Sequence, residues 1–152
     1  MHETIILDED YAYIYNHLLG VFEPLSIGGV LGSGGSFTRN ACGFTKDDNG
    51  KAEFILVIGG RPGNAVRKFD LRTRQFSSAP DYPITVETPR SVQMGRSFLV
   101  LGGHDYNTGE VYDSIYQVDP DTHEWSKRDE TLNEGRYLFY VSLVEDDQVL
   151  CE

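Results

Sequence analysis

An all-β fold built from a repeated sheet is what this sequence predicts, and three observations predict it. Short apolar runs end in diglycines, as EFILVIGG at residues 53–60 and SFLVLGG at 97–103. After each run comes the same phrase, an Asp with Thr three residues on and an aromatic six on: VRKFDLRTRQF at 66–76 and IYQVDPDTHEW at 115–125. Sixteen Gly and nine Tyr against one Trp and two Met favour short strands joined by tight turns.

Taken in chain order, each element has a local reason. YIYNHLLGVFEPL at 13–25 is a weaker copy of the phrase, with Asn16 in the Asp position and Phe22 in the aromatic one. Tyr15 and Phe22 lie seven residues apart, as do Phe69 and Phe76, and Val118 and Trp125. RNACGF at 39–44 predicts a strand with Cys42 in the core, where buried thiols are commonly inert. KDDNGK at 46–51 carries Asn-Gly, a strong hairpin signal. EFILVIGG suits a strand buried on both faces, and its glycines allow a sharp turn or a close approach. VYDSIYQVD at 111–119 alternates and is β-branched and aromatic, as a packed strand is. Asp-Pro-Asp-Thr at 119–122 is turn chemistry, and the aromatic after it is expected to anchor neighbouring units.

The offsets make this a repeat. Gly59-Gly60 and Gly102-Gly103 are 43 residues apart, whereas Asp70 and Asp119, Thr73 and Thr122, and Phe76 and Trp125 are each 49 apart. The second copy therefore holds six extra residues in its polar gap. A period of about 45–55 residues, rich in strand, fits a propeller blade and not a helical repeat of 33 or 34.

The sequence resembles the kelch-repeat family. Gly102, Gly103, Tyr116, Asp119, Thr122 and Trp125 carry the likeness best, and Gly59, Gly60, Phe69, Asp70, Thr73 and Phe76 carry a second copy with Phe in place of Trp. An Arg before the next strand is also typical of the family, and Arg39, Arg90 and Arg136 stand in comparable places. The resemblance implies kelch-type β-propeller blades, four-stranded antiparallel sheets in an incomplete ring. The expected units are 1–22 (partial), 23–76, 77–125 and 126–152 (partial), with a further diglycine strand expected where RYLFYVSLVEDDQVLCE closes the sequence. A fragment of a longer propeller, an open half that self-associates through its sheet edges and a small sandwich are the three ways to account for so few blades.

Composition narrows the partners. Thirteen Lys+Arg against 24 Asp+Glu give a net charge of −11, which argues against nucleic acid and anionic membranes. Such a charge serves solubility or an acidic patch for a basic partner. No run approaches the roughly 18 apolar residues of a membrane helix, and the start has no secretory pattern. Cys42 and Cys151 form no CxxC pair, so a reducing, cytoplasmic setting is expected.

No catalytic, cofactor or metal constellation emerges. GGVLGSGG at 28–35 lacks the Lys-Ser/Thr and the spacing of a phosphate loop and is expected to be an inter-strand loop. DDNG at 47–50 and HDYNTGE at 104–110 miss the ligand positions of a calcium loop and are expected to be turns. His2, His17, His104 and His123 have no metal-ligand spacing. What remains is loop surface on a rigid scaffold. The candidate binding residues are Arg61 and Asn64 after the first diglycine, His104, Asp105 and Tyr106 after the second, and Arg39, Arg90 and Arg136 before strands. In kelch adaptors, which this chain resembles, such arginines grip acidic peptides through bidentate guanidinium–carboxylate bonds; structural bonds within a blade are the other use. The expected function is a non-catalytic protein–protein interaction module for a protein or peptide partner. A fragment of a kelch-type sugar-handling enzyme, oxidase or mutarotase, is the alternative that the resemblance implies.

Overall fold

The computed structural model describes residues 3–7, 12–24, 36–61 and 63–143. The GGVLGSGG stretch, His2 and Cys151 lie outside them. The described residues form eleven strands in three antiparallel sheets, with no helix. Accordingly, no helix among them is long and apolar enough to cross a membrane.

The first sheet is β1 (Glu3–Leu7), β2 (Ala12–Asn16) and β3 (Val21–Pro24). The second is β4 (Ser36–Lys46), β5 (Ala52–Arg61), β6 (Val66–Asp70) and β7 (Gln75–Ala79). The third is β8 (Arg90–Met94), β9 (Ser97–Leu101), β10 (Ser114–Val118) and β11 (Trp125–Thr131). Each is a meander whose strands lie side by side in chain order.

One turn recurs in all three sheets. Asp70 Oδ1 accepts the amides of Arg72 and Thr73 at 2.8 Å, and Arg74 N–H returns to the Asp70 carbonyl. Asp119 does the same for Asp121 and Thr122 at 2.9 and 2.8 Å, with His123 returning. Asn16 repeats it for Leu18 and Leu19 at 3.1 and 3.2 Å, with Gly20 returning. The returning residues have φ of 60° (Arg74), 61° (His123) and 66° (Gly20). A short side-chain acceptor stands in for backbone in this turn, so Asn serves where Asp does. These amide bonds favour the ionised form and hold the Asp70 and Asp119 carboxyls below the ordinary Asp range. The aromatic after the turn lies at the start of the last strand of the sheet: Phe76 pairs with Phe69, and Trp125 with Val118.

Strand alternation gives each sheet two working faces. Phe69 and Phe76 turn to one side, where Ile5 and Ile14 of the first sheet pack on them. Leu56, Ile58 and Val66 turn to the other and form a core with Phe98, Val100, Tyr116 and Val118 of the third sheet. Each fully buried large side chain here contributes about 1.5–3 kcal/mol. Gly43 on β4 lies against the Phe98 ring so closely that a Cβ there would sit 2.3 Å from Phe98 Cγ. Trp125 meets Tyr82 and Phe98 edge-on, with centroids 5.0 and 6.1 Å away, and its indole donates to the Pro80 carbonyl at 3.2 Å.

Side chains of β8 also bond the backbone of β4, about one repeat earlier. Ser91 Oγ donates to the Cys42 carbonyl at 2.5 Å and Gln93 Nε2 to the Phe44 carbonyl at 3.1 Å. Arg96 donates to the Lys46 carbonyl at 3.1 Å and pairs with Asp48 at 3.0 Å and Asp121 at 2.7 Å, stapling turns of two sheets. Cys42 itself is exposed, contrary to the expectation of a core thiol. Its side chain shares the β4 face that turns toward the first sheet, and among the described residues that sheet has three strands with which to cover it.

His123 closes the β10–β11 turn with its ring edge-on to Phe54 of the second sheet, 5.1 Å away. Burial, followed by the Lys68 charge, pushes its pKa below the ordinary His value, although Asp119 and Asp121 pull it back. A depressed folded-state pKa means the unfolded chain takes up the proton first, so stability falls as pH drops below about 6.5. The fall ends below the folded-state pKa. The expected result is a decline in melting temperature between neutral and mildly acidic pH that is shallower in His123→Asn, measured by thermal unfolding across pH. Asn tolerates the positive φ, so the turn itself survives.

Candidate functional site

The diglycine ends of β5 and β9 are where the candidate loops converge. Gly59, Gly60, Gly102 and Gly103 have φ of 76°, 94°, 58° and 98°. The connection from β7 to β8 passes between them. A Cβ on Gly59 would lie 2.5 Å from the Val86 carbonyl oxygen, and one on Gly103 would lie 2.3 Å from Val86 Cγ2. Glycine is required here by space as well as by φ. Glu87 then forms a two-way backbone bridge with His104, its amide donating at 2.8 Å and its carbonyl accepting at 3.0 Å.

This crossing brings four polar side chains together. Arg39 Nη1 donates to Glu87 Oε2 at 3.1 Å, with the Glu87 side chain 5% exposed and that of Arg39 53% exposed. Thr88 N–H donates to the Arg39 carbonyl at 2.6 Å. Thr88 Oγ1 donates to the Glu87 carbonyl at 2.8 Å and lies 3.2 Å from His104 Nδ1. With the single hydroxyl proton on that carbonyl, the Thr88 hydroxyl accepts from His104 Nδ1. The His104 ring stacks at a tilt on Tyr137, 4.7 Å between centroids.

Two of these residues hold unusual backbone. Arg39 has φ of 65° at the irregularity that breaks the β4–β5 register between Ser36 and Asn40, and Thr88 has φ of 53°. A positive φ is strained for a β-branched residue, and a bulge re-aims a side chain. Leu138, at φ 55°, comes next in the series, so the backbone equivalents are Arg39, Thr88 and Leu138 at spacings of 49 and 50. Arg39, Arg90 and Arg136 are therefore not in register with one another.

The remaining candidates are placed differently. Arg90 directs its guanidinium at carbonyls, Nε to Phe139 at 2.5 Å and Nη1 to Pro89 at 2.9 Å. Arg136 is exposed, 3.7 Å from Glu134 Oε2, and its carbonyl accepts Gly103 N–H at 2.7 Å. The Asn64 carbonyl accepts Tyr82 N–H at 2.8 Å. Asp105 Oδ1 caps its own turn through Asn107 N–H at 2.7 Å, and Tyr106 beside it is exposed. Arg61 ends β5 opposite Ser36, with its side chain outside the described set. The structure thus gathers Arg39 and His104, and adds Glu87, Thr88 and Tyr137, which the sequence analysis did not single out. The opposite end of the second sheet holds a cleft of about 370 Å³ lined by Asp47, Lys51, Phe54, Asp70 and Arg72 among others. The Asp47 and Asp70 carboxylates there already accept amides of their own turns.

Among the described residues, no group of three or more His, Cys, Asp or Glu side chains is arranged to hold a metal ion. No protein-family model matches the chain, and no curated protein matches it.

Proposed function

We propose that the chain is a non-catalytic protein–protein interaction module of kelch-type propeller blades whose diglycine-end loops bind an acidic peptide segment. The Arg39–Glu87 pair carries this reading. A buried carboxylate fixes one terminal nitrogen of a half-exposed guanidinium on strained backbone, which presents a preorganised cation at the loop face. Preorganisation lowers the entropy lost when a carboxylate binds, and the planar guanidinium matches its geometry. His104 and Tyr137 add an aromatic wall within the same cluster.

The test is calorimetric titration with a Glu-rich peptide at low salt. Arg39→Gln is expected to weaken binding about tenfold, as loss of one charge-assisted contact of about 1.5 kcal/mol does. Arg128→Gln, on β11 beside Glu130 and Gln117, is expected to leave it unchanged. No binding by the native chain, or equal loss in both variants, rejects the reading.

A further inference from the structure

The three sheets are not equally complete, and the deficits match. The second and third sheets have four strands, but the first has three. Register shows which edge differs. β1 pairs with the strand that carries the Asx turn, as β5 and β9 do, so its other edge, which no described strand occupies, is where β4 and β8 stand in their own sheets. Past the third sheet, the chain reaches Leu138, whose φ of 55° matches those of Arg39 and Thr88 at the head of β4 and β8. Residues 139–143 therefore occupy the place of a next inner strand, and no described strand pairs with them: Tyr140 is 98% exposed and Leu143 70%.

The sheet faces show the same mismatch. Leu56 and Val66 are buried by the third sheet, whereas Leu99 and Ile115, their equivalents on the third sheet, are only half-buried; Leu101, the equivalent of Ile58, is buried. Phe69 and Phe76 are buried, whereas Phe22, the equivalent of Phe76 on the first sheet, is 59% exposed. Size is compensated too. Phe98 fills the space beside Gly43; the repeat places the smaller Thr4 opposite the larger Val92. Finally, Ser91 bonds the strand beside it, while Cys42, one repeat of 49 residues earlier, is exposed with no described strand opposite.

We infer that a second copy of this chain covers the first sheet head to tail: its residues 139–143 pair with β1, and its β8–β11 sheet packs on the Tyr15–Phe22 face. The contact continues the interface already formed between the second and third sheets. It is heterologous, since each copy offers one face and accepts on the other. This assembly is independent of peptide binding at the diglycine end.

Light scattering on a sizing column over a wide concentration range tests it. The native chain is expected at multiples of 17.1 kDa. Val141→Pro, which removes a strand amide, and Phe22→Asp, which charges the receiving face, are each expected to run as monomers. Mixed in equal parts they are expected to recover twice the monomer mass, because each retains the face that the other lost. Alkylation of Cys42, located by peptide mapping, is expected to slow in the native assembly and to be fast in either variant. A native monomer at every concentration overturns the inference. So does a mixture that stays monomeric, which marks a symmetric contact, or Cys42 labelling unchanged by association.

Discussion

Gly43→Ala is expected to destabilise the protein by about 3 kcal/mol. The new Cβ would lie 2.3, 2.5 and 2.6 Å from Phe98 Cγ, Cδ2 and Cδ1, inside any real carbon–carbon contact. Neither side yields easily. β4 is held to β5 along its length and to β8 through the bonds to the Cys42 and Phe44 carbonyls, and Phe98 is fully buried. Relief requires the second and third sheets to separate at their shared core. Phe98→Leu in the Gly43→Ala background is expected to recover part of the loss, whereas Phe98→Ala alone costs about 4 kcal/mol. Urea unfolding of the native protein, Gly43→Ala, Phe98→Leu, their double variant and Phe98→Ala checks both. Additive losses would show that the two residues do not share one contact.

The second large effect is expected at Gly103. Alanine there meets Val86 Cγ2 at 2.3 Å and the Glu87 carbonyl oxygen at 2.9 Å, on backbone with φ of 98°. Clash and left-handed strain together are expected to cost about 3 kcal/mol. Because the displaced segment carries Glu87 and Thr88, the damage extends to the Arg39–Glu87–His104 cluster. The His104 ring signals are expected to move, and Arg39 loses its fixed partner. Gly109→Ala is the contrast. It also has positive φ, at 75°, but no atom lies within 4 Å of the added carbon, so only backbone strain of about 1–2 kcal/mol is expected. Equal destabilisation of the two variants would refute the crowding argument.

What could be read from the sequence was local chemistry. The Asp70 and Asp119 turns and their Asn16 counterpart follow from which side chains can accept two successive amides, and the strands around them follow from apolar alternation. Both depend on residues a few positions apart. The turn of KDDNGK was legible for the same reason: Asp47 caps it through Asn49 and Lys51 amides at 2.9 Å. The features that were not legible depend on packing between sheets. Cys42 is apolar in character and sits in a strand, but its exposure depends on what a different sheet lays over that face. Gly43 gives no sign that an aromatic 55 residues later needs its space. Glu87, in TVETPRS, is buried because the crossing segment bridges to His104, and nothing in its neighbours announces that. The three arginines look alike in sequence, yet a bulge separates Arg39 from the other two.

The meander order of the strands has a kinetic consequence. Each sheet closes on itself before the chain begins the next, so its pairings span short loops, and contacts between sheets come later at about one repeat's separation. Low local contact order favours fast formation of each sheet, and the slower step is their docking. On a ribosome, one sheet can be complete while the next is still being made. Amide exchange should report the same hierarchy. β9, paired on both edges and buried at every residue but Leu99, should exchange only through global opening, and β3, exposed along its whole length, should open on its own.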